Sequence, residues 1–480
     1  MESFKDIIFT RSYINGEWVE REETFDVFNP YTEERIVSLA DASEEQWEEA
    51  VQAAHNAFEP WKRLTAKERS SILLKWYDLL QENKEKIAGL MSLESGKVIG
   101  ECLSEVDYGA SFIQWFGEEA KRVYGLTIPE FSVDRRVKVI RQPIGVVAAI
   151  TPWNFPLAMI TRKIAPALAV GCTVVIRPSS VTPLTALALS YYAEKAGFPK
   201  GVINTIVNAE ASQAGKFLCG HPHISKISFT GSTEVGKILA KQSASTLKKV
   251  SLELGGNAPL IVFKDADIKN AVESAITAKF RFAGQTCVCI NRILVHRDIY
   301  NHFTKKLTEE VQKLKTGDPS LKENQIGPLI SKEVLPKMER FIKDAQEKGG
   351  EILCGGTKEK NNIFSPTVIG NANHKMRFAQ EEIFGPIAPI FKFDSFEEAI
   401  HMANDTIYGL AAYLYTDDIN TAIRASEQLQ YGMIGINEGL ISSETVPFGG
   451  IKESGYGREG SKYGIEDYTQ LKYICTGNVR

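Results

Sequence analysis

The chain predicts an α/β protein with a doubly wound dinucleotide-binding layer, followed by a second α/β unit. Three observations lead there. Strand and helix patterns alternate without interruption from residue 145 to residue 253, which is the mark of a parallel sheet covered on both faces. The alternation starts again at Leu260-Ile261-Val262-Phe263 and runs to about Tyr415. With 480 residues, the chain exceeds what one ordinary core accommodates, so two or three domains are expected. No internal repeat or low-complexity linker interrupts this order.

The elements follow from local chemistry. Tyr13-Ile14-Asn15-Gly16-Glu17-Trp18-Val19 places strand formers about an Asn-Gly turn, a hairpin pattern. Residues 24–30 read as a further short strand and turn. Helical periodicity covers about residues 43–58, 66–92 and 98–122, with Glu and Lys opposite Ile, Leu and Val. Residues 136–143 alternate charged and apolar side chains, which suits a half-exposed strand or one that pairs with another subunit. The apolar run Gly145-Val146-Val147-Ala148-Ala149-Ile150-Thr151 suits a buried parallel strand. Pro156 sits where a helix to about Val170 would begin. Strands at 172–176, 202–207, 226–230 and 249–253 alternate with helices at 182–196, 210–219 and 236–243. The last stretch, 472–479, has strand character and no local partner.

Composition narrows the function classes. A hydrophobic share of 43%, a charged share of 24% and a net charge of −4 describe a soluble globular protein, with nothing to attract nucleic acid or an anionic membrane. No apolar run reaches the ~18 residues that span a bilayer, and Met1-Glu2-Ser3-Phe4-Lys5-Asp6 lacks the layout of a signal peptide. The seven cysteines are odd in number and irregularly spaced, so a disulfide framework is not expected and a cytoplasmic location is. The seven histidines form no convincing metal set, so no metal is expected. His221 and His223, which flank Pro222, read as surface residues.

The chemistry concentrates in two glycine-containing loops. Gly284-Gln285-Thr286-Cys287-Val288-Cys289 holds a thiol among small residues, and Leu252-Glu253-Leu254-Gly255-Gly256-Asn257 holds a carboxylate. A thiol with a base elsewhere is the minimum for covalent catalysis at a carbonyl. Taken alone, the pair also fits an inert buried Cys near a structural Glu. Gly231 and Gly236, in Phe229-Thr230-Gly231-Ser232-Thr233-Glu234-Val235-Gly236-Lys237, frame a strand end and helix start whose N–H groups and Ser232 hydroxyl can hold a phosphate. In Thr151-Pro152-Trp153-Asn154-Phe155-Pro156, Asn154 can cap a helix or donate to an oxyanion.

These blocks occur in one order with Glu382-Ile383-Phe384-Gly385-Pro386 and Pro447-Phe448-Gly449-Gly450-Ile451-Lys452-Glu453-Ser454-Gly455. Together they resemble the aldehyde dehydrogenase superfamily over nearly the whole chain. The resemblance implies a dinucleotide-binding domain from residues 1–124 and 145–254, a catalytic domain at 255–442, and a return to the cofactor domain at 443–464. It also implies an oligomerisation ribbon from 125–144 and 465–480, whose exposed edge pairs across a homodimer, with dimers joining into a homotetramer. Cys287 becomes the nucleophile that forms a thiohemiacetal and then a thioester. Glu253 activates the hydrolytic water, and Asn154 holds the oxyanion. Thr151, Trp153, Gly231, Ser232, Gly236, Glu382 and Phe384 fall on the cofactor side, while Phe155 and Phe448 fall on the substrate side. A dinucleotide-binding protein with a purely structural role is the alternative outside enzymes, and it would be favoured by loss of Cys287 or Glu253.

Four further stretches, 159–163, 279–282, 439–443 and 457–464, resemble succinate-semialdehyde dehydrogenases. That likeness implies a carboxylate-bearing aldehyde held by Arg162, Arg281 and Ser442, with glutarate semialdehyde or a broader aldehyde range as the alternative. Arginine's forked donors suit a carboxylate, although both arginines could instead serve structural ion pairs. Cys289, two positions after the nucleophile, corresponds to a residue that forms a reversible inactivating disulfide in some members. Where many members read Lys-Pro-x-Glu, this chain reads Arg177-Pro178-Ser179-Ser180. Ser180 removes a carboxylate that would repel a 2′-phosphate and Arg177 adds a cation, so NADP is expected, with NAD possible.

Overall fold

The computed structural model describes residues 2–479. An eight-stranded sheet has five parallel central strands in the order Lys249–Glu253, Ile224–Thr230, Val146–Ile150, Thr173–Arg177 and Ile203–Thr205. The Ser12–Ile14 and Glu17–Val19 hairpin closes one edge, and the two-residue strand Gly455–Tyr456 closes the other. The hairpin turns at Asn15 and Gly16, both at positive φ (52° and 79°), as a two-residue primed turn requires.

The helix Ala158–Val170, which links two of the central strands, is buried along its whole length. Its sequence therefore shows no polar face, and the two cations it carries, Arg162 and Lys163, must find partners inside the protein.

A second sheet of seven strands runs Glu351–Cys354, Thr367–Ala372, Ile387–Phe393, Ile290–His296, Ala258–Val262, Ala411–Tyr415 and Met433–Ile436. Only its first strand is antiparallel. The near-continuous apolar runs of Ala258–Val262 and Ala411–Tyr415, buried throughout, are what a sheet covered on both faces demands. A third sheet is a three-stranded antiparallel ribbon, Thr469–Thr476 against Arg136–Pro143 against Leu126–Ile128. The last strand thus begins three residues before the sequence pattern places it, and it finds its partner far back in the chain. Among the described residues no helix is long and apolar enough to cross a membrane.

Local departures from the sequence pattern have identifiable causes. The long periodic stretch 66–92 forms two helices, Ala66–Glu82 and Lys84–Ser95. They break at Asn83, whose side-chain amide donates to the carbonyl of Leu79 at 2.9 Å and so competes with the helical ladder. The helix expected from Gly236 begins at Thr233, because the Ser232 hydroxyl accepts the N–H of Val235 at 3.3 Å. The helix expected from Pro156 begins at Ala158, and Asn154 does not cap it. A carboxylate from another helix does so instead: Glu105 Oε1 accepts the N–H groups of Leu157 (3.0 Å) and Ala158 (3.3 Å).

Candidate active site

Cys287 follows a turn at Arg281–Gly284 in which three consecutive residues, Phe282, Ala283 and Gly284, have φ of 48°, 51° and 74°. A left-handed conformation costs a non-glycine residue roughly 1–2 kcal/mol, so the turn persists only because its surroundings hold it. Both carboxylate oxygens of Glu101 accept the Phe282 N–H, at 2.9 and 3.1 Å. The buried Gln285 side chain donates to the carbonyl of Phe282 at 3.1 Å and accepts the N–H of Ile330 at 2.9 Å. A Cβ on Gly284 would lie 2.3 Å from the carbonyl oxygen of Gly385, and one on Gly256 would lie 2.5 Å from that of Cys287. Glycine at position 256 lets the carboxylate loop touch the thiol loop, and glycine at position 284 lets the thiol loop approach the backbone at Gly385.

Asn154 is buried beside this turn and donates from Nδ2 to the carbonyl of Gln285 at 3.0 Å. Its own carbonyl accepts from Lys97 Nζ at 2.8 Å. Lys97 is itself buried, pairs with Glu105, and lies over the rings of Phe155 (3.9 Å) and Phe282 (4.6 Å). One lysine and one glutamate therefore fix the Asn154 segment and the start of the buried helix together.

Two cavities meet at Cys287. The first, of about 560 Å³, includes Tyr108, Phe155, Arg162, Arg281, Ser442 and Phe448 in its wall. The second, of about 370 Å³, includes Trp153, Asn154, Gly231, Ser232, Glu382 and Phe384. Glu253 lines neither. It lies behind the loop at Gly449, where an added Cβ would approach its Oε1 to 2.9 Å.

The electrostatics are those of a partly dry site. Burial pushes the Cys287 thiol up to about 12, against the pull of Arg162 and Arg281. Burial, reinforced by neighbouring Glu459, holds the Glu253 carboxyl well above the usual carboxylate range. Burial also acts to raise Glu459, but Arg162 and Lys163 outweigh it and keep Glu459 ionised. Arg162 spends only Nε on Glu459; both of its terminal nitrogens are buried with no partner among the described residues. Nε of Arg281 is buried and unpartnered too. Buried donors are almost always bonded, so these orphans on a cavity wall fit an acceptor-rich ligand. The structural ion-pair alternative accounts for only one of the three nitrogens of Arg162.

The lining of the second cavity suits the phosphate and ribose part of a dinucleotide. The Thr230 hydroxyl on its wall is buried and unpartnered. Gly231 leaves no room for a side chain, since a Cβ would meet the Phe229 ring at 2.4 Å. The Ser232 oxygen accepts within its helix and still carries a proton to donate. Trp153 and Phe384 pack edge to face with centroids 5.6 Å apart. Glu382, pushed up to about 7 by burial, accepts the Gly256 N–H at 3.0 Å. Lys337, on the helix Leu335–Glu347, lines the same cavity and donates to the Glu382 carbonyl at 2.8 Å; no motif marks it in the sequence.

The other residues singled out for the cofactor lie outside this cavity wall. Thr151 has a buried, unpartnered hydroxyl. Gly236 is a packing glycine, with a Cβ position 2.4 Å from Leu254. Ser180 is half-buried. Arg177 is not the free cation its place in the sequence suggests. It is buried, and it donates from Nε and Nη2 to the side chain (3.1 Å) and carbonyl (3.0 Å) of Asn208. Burial brings its guanidinium down to about 10. Cys289 is buried as well: its sulfur accepts from Lys279 Nζ at 3.4 Å, and its thiol faces the Lys279 carbonyl at 3.3 Å. Those surroundings favour a packing role.

The state of Glu253 bears on stability. Its folded pKa lies above the unfolded value of 4.5, so the native state binds more protons and stability falls as pH rises through the raised value. Glu253→Gln is therefore expected to raise Tm at pH 8, with the gain shrinking toward zero as pH falls well below 4.5, where the carboxyl is protonated in both states. Calorimetry showing an unchanged or lower Tm at pH 8 refutes this.

Known proteins resemble this chain over nearly its full length. Residues 18–474 match the Aldehyde dehydrogenase family. The chain is 52% identical to the 3-sulfolactaldehyde dehydrogenase of Pseudomonas putida, covering 98% of this chain and 97% of that protein. It is 50% identical to the NADP(+) succinate-semialdehyde dehydrogenase GabD of Escherichia coli K12, covering 97% and 98%. A solved aldehyde dehydrogenase from Brucella melitensis superposes with a TM-score of 0.98 at 50% identity, covering 99% of each chain. With this family match over nearly its full length, the chain belongs to the aldehyde dehydrogenase family.

Proposed function

We propose that this protein oxidises succinate semialdehyde to succinate, with NADP as the preferred electron acceptor and NAD as a usable second. The observation that carries the reading is the set of unpaired, buried guanidinium nitrogens of Arg162 and Arg281 on the wall of the cavity that ends at Cys287. A short aldehyde with an anionic far end satisfies those donors and brings its carbonyl to the thiol.

The residues divide the work as follows. The Cys287 sulfur adds to the aldehyde carbon as its proton passes to solvent water, giving a thiohemiacetal oxyanion that takes the Asn154 amide as donor. Bound nicotinamide supplies the hydride acceptor that brings this carbon to the oxidation level of an acid. Glu253, held protonated in the resting site by burial and by the ionised Glu459, releases that proton to solvent and, as a carboxylate made more basic by the same surroundings, takes a proton from the water that attacks the thioester. The acid leaves and Cys287 is restored. Ser442 adds a hydroxyl to the wall that holds the substrate carboxylate, while Phe155 and Phe448 supply apolar sides.

For the cofactor, Thr230, Gly231 and Ser232 suit the pyrophosphate, and Glu382 with Lys337 suits the ribose nearest the reacting ring. NADP preference rests on Ser180 standing where a carboxylate would repel a 2′-phosphate. Arg177 adds little, being committed to Asn208. The name of the Escherichia coli relative points the same way. A second reading deserves equal testing. A sulfonate offers the same oxygen acceptors, the relative from Pseudomonas putida is named for 3-sulfolactaldehyde, and a cavity of about 560 Å³ also accommodates glutarate semialdehyde.

The assembly is proposed from the sheet edges. Thr469–Thr476 ends the ribbon and Met433–Ile436 ends the seven-stranded sheet, so both present unpaired backbone. Leu471 and Tyr473 on the ribbon strand are 66% and 59% exposed. Edges of this kind add to a partner's sheet, giving a homodimer and, by pairing of dimers, a homotetramer. Seven free thiols suit a reducing cytoplasm.

Absorbance growth at 340 nm with succinate, glutarate and sulfolactate aldehydes, and with propanal, tests the substrate. Arg281→Ala is expected to lower kcat/KM for succinate semialdehyde at least about tenfold more than for propanal, the scale of a lost charge-assisted contact. Equal losses on both aldehydes sink the assignment. With the wild type, a kcat/KM for NAD more than about tenfold above that for NADP overturns the cofactor preference, since tenfold corresponds to only ~1.4 kcal/mol. The double change Leu471→Asp with Tyr473→Asp is expected to shift the protein to monomers in light scattering; an unchanged mass removes the ribbon from the interface.

A further inference from the structure

Resting on the reading of an anionic aldehyde, we propose that Tyr108 is a substrate-binding residue whose hydroxyl donates to the anionic end of the substrate, alongside Arg162 and Arg281. Tyr108 lies on the helix Ile99–Glu119, in the N-terminal part of the chain, where no family motif singles it out. Glu101, Ser104, Glu105 and Tyr108 all line the 560 Å³ cavity. Their spacing is that of one helical face, so this helix forms a wall of the pocket.

The ring of Tyr108 packs edge to face on Phe112 with centroids 5.0 Å apart, which fixes where its oxygen lies. That oxygen is buried and has no partner among the described residues. A buried tyrosine hydroxyl ordinarily finds a partner, because leaving it unbonded forfeits the cost of drying it. The charged groups that act on it most are the two arginines, and arginine offers donors only.

The wall thus carries four unsatisfied donors: two terminal nitrogens of Arg162, Nε of Arg281 and the Tyr108 hydroxyl. Further donors cannot satisfy such a set. It calls for a group that only accepts, and a carboxylate supplies about four lone-pair positions on two oxygens. The arginines provide charge. The phenol provides a neutral, directional bond that distinguishes a correctly seated anion from one merely attracted into the pocket.

Tyr108→Phe keeps the ring and its packing and removes only the donor. It is expected to raise KM for succinate semialdehyde and the inhibition constant of succinate each about tenfold, equivalent to ~1.4 kcal/mol. kcat should change far less than KM. The loss of kcat/KM on butanal, a four-carbon aldehyde without the carboxylate, should be at least about tenfold smaller, since no charged-group hydrogen bond is removed there. A matching Tm shows that the variant is folded. Wild-type preference for succinate semialdehyde over butanal is measured first, and its absence defeats the parent reading and this inference together. If that preference holds while the variant is unchanged on both aldehydes, or loses equally on both, the role of Tyr108 is overturned and the proposed function stands.

Discussion

The pairing of Glu459 with Arg162 and Lys163 is the constraint around which the site is arranged. All three side chains are almost wholly buried. Burying ions costs several kcal/mol each, and the cost is offset only when geometry is good and the remaining donors and acceptors are used. Here the pairing ties a late loop to the fully buried helix Ala158–Val170. It holds Arg162 by Nε alone, which leaves two donors on the substrate side. It also places a fixed negative charge near Glu253, raising that carboxyl further than burial would alone. One costly ionic cluster thus orients an anion-binding group and strengthens a base.

A second buried pair, Lys97 with Glu105, sets the opposite side. Glu105 ends the helix ladder that Asn154 leaves open, and Lys97 takes the Asn154 carbonyl. The side-chain amide of Asn154 is then fixed relative to the strained turn before Cys287. That turn would relax without Glu101 and Gln285 to hold it. Fixing the donor and the nucleophile before substrate arrives lowers the reorganisation needed in the reaction. Loop residues do the chemistry, while ion pairs on helices keep those loops in place.

How much of this the sequence reveals depends on the range of the interaction. Asn15-Gly16 is legible because a primed turn requires positive φ at both positions. The two central loops are legible because only glycine tolerates the contacts at Gly256 and Gly284, and the central strands are legible as apolar runs. Glu105, Glu459, Tyr108 and Lys337 carry no local pattern. Each acts on a group far away in the chain, and an ordinary Glu, Tyr or Lys, on a helix or in a loop, looks solvated until the fold surrounds it. Arg177 shows the reverse error: its place after a strand suggests a cation facing a phosphate, yet Asn208, brought alongside by the next strand, occupies it. Asn83 breaks a periodic stretch through one side-chain hydrogen bond that periodicity cannot register.

The protonation states of the site follow from the same burial. A thiol pushed up to about 12 by burial is overwhelmingly protonated at pH 7. Glu253 likewise resists ionisation, while Glu459 bears the charge. A second and third anion in this space would repel Glu459, so neutral Cys287 and Glu253 are the low-energy pair before substrate binds. An anionic substrate end that pairs with Arg162 and Arg281 removes part of their pull on the thiol, which favours the protonated form further. The thiolate is therefore generated as the carbonyl is attacked, when the Asn154 amide can stabilise the new oxyanion. A thiol protonated until then is also a poor target for oxidants, which react with the thiolate.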